Sequence, residues 1–432
     1  MIQYYKGLKK VERDKLNYAL SRVKKRWLMS KIYKVAIIGG GFSGLVSAEK
    51  LSSLLGGESV LVLERNDRVG KKILATGNGR GNLSNEDISC ENYHSITPAD
   101  VSFAIEKYGN KSIVDYFNGL GMDISGEDGK LYPSSFQANS ILDMLRFRLD
   151  YLKTDVRVNH RVDSVVKCSN GYKITADGKI FFCEKVIFAC GGKAGKQYGT
   201  DGSAYALLQG LGHSVTPLYP SLVQLKTDQS KIKGLKGLKA RVKASLIVDG
   251  REIKSFLGDI LFTDYGISGN AIFYLSAYIP QNKKCKVNVE FLPDKTQDEI
   301  AEFLKLKFKK AHYLGVEDAL TGVINKLIGR AILKTCGDFK SDERGAEIIA
   351  RAIKRFSLDV VGTLSFDYAQ VTKGGIPFAE INSTTMESKK SKGVYVVGEM
   401  LDVDGDCGGY NLQWAYSSAS VACDGVLKNE NR

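Results

Sequence analysis

An α/β fold is what this 432-residue sequence predicts: a mostly parallel sheet assembled from separated segments, interrupted by a strand-rich insertion that carries a helical excursion. Three observations predict it. A short apolar run at residues 35–38 leads at once into a glycine cluster and then a helical pattern. From about His213 the composition turns strand-like, with a charged, helically periodic stretch after Pro293. Near the end another apolar run, residues 393–397, precedes a second glycine-rich turn and a helical segment, GGYNLQWAYSSA.

Each element has a local reason. Residues 35–38 are all apolar, as in a strand buried on both faces. Gly39-x-Gly41-x-x-Gly44 follows, enclosing Phe42 and Ser43. Gly39 permits a tight turn, Gly41 lets the backbone approach a pyrophosphate, and Gly44 lets the next helix pack close to the strand. Leu45, Ala48, Ser52 and Leu55 recur at helical spacing, and Gly56-Gly57 can end that helix. Residues 59–63 read as a second strand, closing on Glu64, where an acid can accept hydrogen bonds from ribose hydroxyls. Phosphates would sit at the helix N-terminus, among free N–H groups. Strand, helix, strand and acid agree on a Rossmann-like dinucleotide site; the alternative is a glycine-rich turn followed by a chance acid.

The next block separates FAD from NAD. Arg65 and the run through Lys72 lead into ILATGNGRGNLSN, where Thr76, Gly77, Asn78, Gly79, Arg80 and Asn82 crowd together. A simple dehydrogenase does not need this block; a long cofactor lying extended across the sheet does. ERNDRVGKKILATGNGRGNLSN, ACGGKAG, GTDGSAYALLQGLGH, ILFTDYGISGNAI, GGIPFAEINSTTMESK and GVYVVGEMLDVDGDCGGYNLQWAYSS together resemble the BaiN/YhiN-like family of FAD-dependent oxidoreductases, also labelled aminoacetone-oxidase-like, over residues 33–425. The resemblance implies a glutathione-reductase-type FAD domain, discontinuous, with an inserted β-barrel and helical subdomain. It implies that Ala189-Cys190-Gly191-Gly192 ends a strand lying against the FAD. Its named activities include an enone reductase of bile-acid intermediates and an amine oxidase, so a substrate does not transfer with the fold. This chain departs from the family pattern at Gly81, at Asp264 where a histidine is usual, at Asn270, and at Ala419.

The remaining elements follow in order. Helical candidates lie at 98–120 and 140–152, and alternation marks a strand at 156–166. Strands at 172–175 and 179–183 flank Asp177-Gly178, a hairpin signal. Residues 185–190 read as a further strand, and 202–211 as a helix. The expected organisation is a basic extension at 1–30, FAD domain at 31–212, barrel at 213–292, helical insertion at 293–350, barrel return at 351–373, and the rest of the FAD domain at 374–432.

At the returning end, a helix N-terminus beneath the flavin would offer N–H donors from Asn411, Leu412 and Gln413, after Gly409, where reduced flavin gathers negative charge. Gly398 and Glu399 follow the last strand. Glu399, then Asp402, is the candidate for a ribityl contact, and Val162 a further cofactor contact. The alternative for either acid is a solvated loop position. Tyr410 and Asp264 are the candidate catalytic groups, with Tyr265 and Ser268 as further acid/base candidates from the insertion. NADH or NADPH is expected only as a transient reductant, because no second fingerprint occurs.

Composition excludes several classes. No run of about 18 apolar residues occurs, so no membrane span is expected. Eight scattered cysteines without a CxxC pair suit reduced thiols and a cytoplasmic location. Four histidines show no ligand spacing, so no metal is expected. The formal charge of +14 is half accounted for by residues 1–28, with nine basic and two acidic residues. That leader reads as a solvated extension, as sequence upstream of a start at Met29, or as an arm for nucleic acid or acidic membrane. The functional expectation is hydride transfer between FAD and a small enone or amine-like molecule. The alternatives are an RNA-directed flavoprotein and an FAD-binding protein without turnover.

Overall fold

The computed structural model describes residues 31–280 and 283–428; the basic leader lies outside them. Its organising element is a seven-stranded sheet. The strands run Asp155–Arg157, Val60–Leu63, Ile32–Ile38, Lys179–Phe188, Gly171–Ala176 and Val162–Cys168, with Val394–Val396 also paired to Lys179–Phe188. The first four and Val394–Val396 are mutually parallel, and the meander beyond them is antiparallel. Register aligns Ile38 with Leu63 and with Phe188, and Phe188 with Val396. Four chain segments therefore leave the sheet at one edge: Gly39, Glu64, Ala189 and Val397 onward. All of Val60–Leu63 is buried, as a strand covered on both faces requires. Helix Phe42–Leu55 and the C-terminal helix Tyr410–Lys428 pack into the same core, where the Cys423 thiol donates to Ser47 O.

Tertiary contacts redraw several expected elements. The expected strands at 179–183 and 185–190 are one strand, Lys179–Phe188. Its first half pairs with the hairpin partner and its second with Ile32–Ile38, so pairing never lapses at Glu184. The hairpin turn takes positive φ at Asp177 (45°) and Gly178 (73°), as a primed two-residue turn demands. The stretch at 156–166 is instead two strands, because Asn159 adopts φ 55° and the chain turns to donate Asn159 N–H to Asn66 O. The helix at 98–120 divides into Ser102–Lys107 and Asn110–Gly119. Tyr108, between them, turns its carbonyl to Gln413 Nε2 and Ser417 Oγ. The helix at 202–211 shortens to Tyr205–Gln209.

The second lobe is a closed antiparallel barrel, ordered Leu225–Thr227, Gly266–Ser268, Arg251–Phe262, Lys239–Val248, Cys285–Phe291 and Phe356–Thr363. Alternation is clear in Cys285–Phe291, whose odd positions face the core. Helices Gln297–Lys310, Lys326–Lys334 and Glu343–Lys354 intervene before the last strand and share the barrel's core. Thr296 caps the first in a reciprocal box with Glu299. A two-stranded ribbon, Tyr219–Ser221 with Val371–Lys373, runs between the lobes. No helix among the described residues is long and apolar enough to cross a membrane.

Candidate cofactor and active-site cleft

The sheet edge where the four segments emerge opens into a cleft of about 1250 Å³. This exceeds the ~300–1,000 Å³ of a site for one drug-sized ligand. It is bounded by the fingerprint, the 70–82 loop, residues 189–206, the ribbon and one barrel wall.

The three fingerprint glycines are required for different reasons. A Cβ on Gly39 (φ 106°) would lie 2.5 Å from Ala189 O, and one on Gly44 2.0 Å from Gly39 O. Both are packing positions. A Cβ on Gly41 would meet nothing nearer than Ala189 O at 3.9 Å, and Gly41 lines the cleft. Its open side is where a ligand backbone can approach. Glu64 is buried at the strand end, accepting from Gly40 N–H (2.7 Å) and Asn66 N–H (2.8 Å). The helix behind it starts at Phe42, and its terminal N–H groups favour anionic phosphate.

The second glycine block lies along the same cleft. Gly77 and Asn78 both take φ 56°, turning the loop so that Thr76, Gly77, Asn78, Arg80 and Asn82 line it. The Arg80 guanidinium stacks over Tyr132 (4.5 Å) and Phe136 (4.6 Å) and pairs with Glu127. Lys72 Nζ donates to Glu399 (2.7 Å) and to Ala194 O (3.1 Å), while Glu399 also accepts from Thr372 N–H (2.9 Å). Thr372 Oγ1 accepts from Lys193 and Ala194 N–H, so this knot joins the fingerprint lobe, the Gly191-Gly192 loop and the inter-lobe ribbon. Burial pushes the Cys190 thiol up to about 12, and its Sγ donates to Ile38 O. All eight cysteines are free thiols. Arg65 pairs with Asp201 (2.8 Å); burial pushes that carboxyl up, yet bonds from Ser203 and Arg65 outweigh it and hold it at about 2.

The C-terminal turn closes the opposite end. A Cβ on Gly409 (φ 103°) would lie 2.3 Å from Ser84 O. Gly409 N–H donates to the Asn82 side-chain oxygen (3.1 Å). The first helical bond is Gln413 N–H to Gly409 O, so the N–H groups of Asn411 and Leu412, both cleft residues, precede it.

Of the residues expected at the site, Gly39, Gly41, Phe42, Ser43, Glu64, Arg65, Lys72, Thr76, Gly77, Asn78, Arg80, Asn82, Val162, Ala189 to Gly192, Glu399, Gly409, Asn411 and Leu412 line the cleft. Seven do not line it. Gly44 is sealed by Gly39 O, and Gly79 lies outside the lining. Gly398 is engaged by Ser418 and Trp414. Asp402 is fully buried and spends its oxygens on Ile96 N–H and on Thr97 N–H and hydroxyl. Gln413 is buried between Ser84, Tyr108 and Ser417. Tyr410 packs edge-on against Tyr93, and burial pushes its phenol up to about 12. Asp264 is an exposed carboxylate paired with Lys236 (2.7 Å) on the barrel exterior.

Of the two further acid/base candidates from the insertion, Ser268 lines the cleft and Tyr265 does not; sequence reasoning missed the rest of the barrel wall, Lys239, Asp259, Asn270 and Phe273, with Leu222 and residues 367–371 of the ribbon segment. It also missed Lys130 and Tyr132 on strand Lys130–Pro133. One signal was available for residues 199–204, whose GTDGSA run was quoted without a role. The others sit in ordinary alternating strands.

A parallel sheet with a nucleotide fingerprint, a second glycine loop and a returning helix at one edge defines the dinucleotide-binding flavoprotein class. The glycine cradle, the anchored Glu64 and the cleft volume fit FAD. A profile described as HI0933-like protein Rossmann domain matches residues 33–425. The chain belongs to that family, and it is a flavin-dependent oxidoreductase with FAD as its cofactor. It is similar to a 3-dehydro-bile acid delta(4,6)-reductase of Clostridium scindens, 36% identical over 399 residues, 90% of this chain and 98% of the other. It is also similar to a ribosomal RNA dihydrouridine synthase of Haemophilus influenzae, 29% identical over 413 residues, 91% and 98% of the two chains. Among solved structures, a 3-ketosteroid-delta4-(5alpha)-dehydrogenase of Rhodococcus jostii aligns with 92% of this chain and 98% of its own, at 14% identity and a TM-score of 0.46.

Proposed function

We propose that the chain saturates a ring carbon–carbon double bond conjugated to a carbonyl, with FAD along the cleft and NADH or NADPH as the reductant. The observation that carries this reading is the continuity of the cleft from the fingerprint to the barrel wall, a space with room for a second ligand beside the cofactor. The activities for which the two relatives are named support it. A delta(4,6) double bond beside a 3-dehydro centre and the uracil ring of uridine share a C=C conjugated with C=O.

Bound FAD supplies the hydride; the chain supplies position and electrostatics. Gly41 and the helix N-terminus at Phe42 would hold the pyrophosphate, and Glu64, kept oriented by its two backbone bonds, would accept from ribose hydroxyls. Glu399 keeps its cleft position through Lys72 and Thr372 and serves the ribityl chain. The Asn411 and Leu412 N–H groups would face the ring and offset negative charge on it. On the facing wall, Asn270 accepts from Asp259 N–H (2.6 Å) through its oxygen, which leaves its amide NH₂ to donate to a substrate carbonyl beside Ser268.

Anaerobic titration with NADH and NADPH tests this. The purified yellow protein bleaches with at least one of them, and a cyclic enone restores the colour with the enone gaining two hydrogens. Bleaching by neither nucleotide, or reoxidation by no enone, overturns it. A second reading, uracil within ribosomal RNA as the substrate, is favoured by the activity for which the second relative is named. Reduced protein offered free enone and ribosomal RNA separately distinguishes them by which acquires the two hydrogens.

A further inference from the structure

Seven Lys and Arg side chains line the cleft, and six have a carboxylate partner, Arg65 with Asp201 and Lys239 with Asp259 among them. Lys130 is the exception: among the described residues its ammonium has no ion pair. It stands on strand Lys130–Pro133 opposite Asn85, whose Nδ2 donates to Gly408 O (3.0 Å). A Cβ built on Gly408 would come 3.8 Å from Lys130 Cε, so the lysine stem lies across the turn before the C-terminal helix. Its charge is felt there: burial pushes the Cys407 thiol up, and the Lys130 ammonium works against it. The six paired cations have their charge offset by the protein. Lys130 brings to the Cys407–Gly409 end of the cleft a positive charge with no ion-pair partner among the described residues, although the Asp406 carboxylate also bears on the Cys407 thiol.

We propose that Lys130 is the cation that offsets the negative charge of the reduced flavin ring at the Cys407–Gly409 turn and so raises the flavin's reduction potential. The proposal rests on the orientation proposed above, with the ring at this end. Two-electron reduction by dithionite with uptake of one proton leaves one negative charge on the ring, and nearby charge tunes that equilibrium. In general, a unit charge about 6 Å from another at an effective dielectric of about 20 shifts such an equilibrium by roughly a hundredfold, less where water screens it.

Potentiometric titration of the FAD-loaded full chain with dithionite, in wild type, Lys130→Met and Lys130→Arg, tests this. Lys130→Met is expected to disfavour reduction at least tenfold, about 30 mV for a two-electron couple. Sulfite, which adds to the ring and leaves it negatively charged, is expected to bind at least tenfold more weakly. Lys130→Arg keeps the charge and should stay within about threefold of wild type on both readouts. Lys130→Gln replaces the Met variant should the latter fail to fold. A loaded Met or Gln variant with unchanged potential and sulfite affinity overturns the proposal. So does a variant that loses FAD affinity at unchanged potential, which would place Lys130 on the phosphates. Wild-type protein that refuses FAD sinks the cofactor reading itself, a separate result.

Discussion

Gly44 has no room for a methyl group: the added carbon would lie 2.0 Å from Gly39 O, which is itself pinned in the tight turn. Gly44→Ala is therefore expected to yield protein without bound FAD or no soluble protein, read from the flavin absorbance per chain after purification. At Glu64 the carboxylate joins two backbone donors to the cleft. Glu64→Ala removes a ribose acceptor and strands both N–H groups, at about 1.5–3 kcal/mol, roughly ten- to a hundredfold in FAD affinity by fluorescence titration. Asp404 makes a prediction about pH. It is buried, one oxygen accepts from Ser221 and the other has no partner among the described residues; burial raises its carboxyl from 3.8 to about 6. The folded chain thus holds this proton where the unfolded chain has released it. The stability it contributes is full below 3.8 and is lost as pH rises through about 6, a change of about 3 kcal/mol. Asp404→Asn should raise the melting temperature at about pH 7.5 and change it little at about pH 4.

Among elements, the C-terminal helix shows how far a local pattern reaches. Its glycine-led start and its helical character are legible in GGYNLQWAYSSA, because capping and periodicity act over a few residues. Which of its polar residues faces a ligand is not legible. Gln413 reads like a donor to the ring, yet it is fully buried and bonds Ser84, Tyr108 and Ser417. Ser84 and Tyr108 come from segments more than 300 residues earlier. Gln413→Leu leaves Ser84 and the Tyr108 carbonyl without this partner and is expected to cost about 2–4 kcal/mol in denaturant unfolding, with FAD affinity falling because Ser84 O packs against Gly409. Strand Lys179–Phe188 makes the same point. Its two halves have different partners, so a sequence window sees two strands where hydrogen bonding makes one.

At the scale of the molecule, two lobes with separate cores meet around one cleft. The Lys72–Glu399 pair and the Thr372 bonds tie the fingerprint lobe to the ribbon that leads to the barrel. A cofactor lying along that cleft stabilises the folded chain by mass action, about 2.7 kcal/mol at a free concentration 100-fold above Kd. Thermal unfolding with increasing FAD should show that rise, and Lys72→Met should blunt it by weakening the hold on Glu399.

Taken alone, the sequence determined the strand–turn–helix start of the cleft and the acid that closes its second strand. Gly39, Gly41, Gly44 and Glu64 are near neighbours in the chain, and their roles follow from backbone conformation and strand–turn–helix geometry within about thirty residues. The six-block resemblance carried the family and the barrel insertion. Only the tertiary structure decided the other end: that Asp402, Gln413 and Tyr410 turn inward, that Asp264 faces solvent, and that Lys130 is, among the described residues, the cleft cation without a carboxylate partner. Each of these depends on which distant segments the aligned strand ends and the barrel bring together. That long-range register is set by the burial of whole faces, which no short window of residues contains.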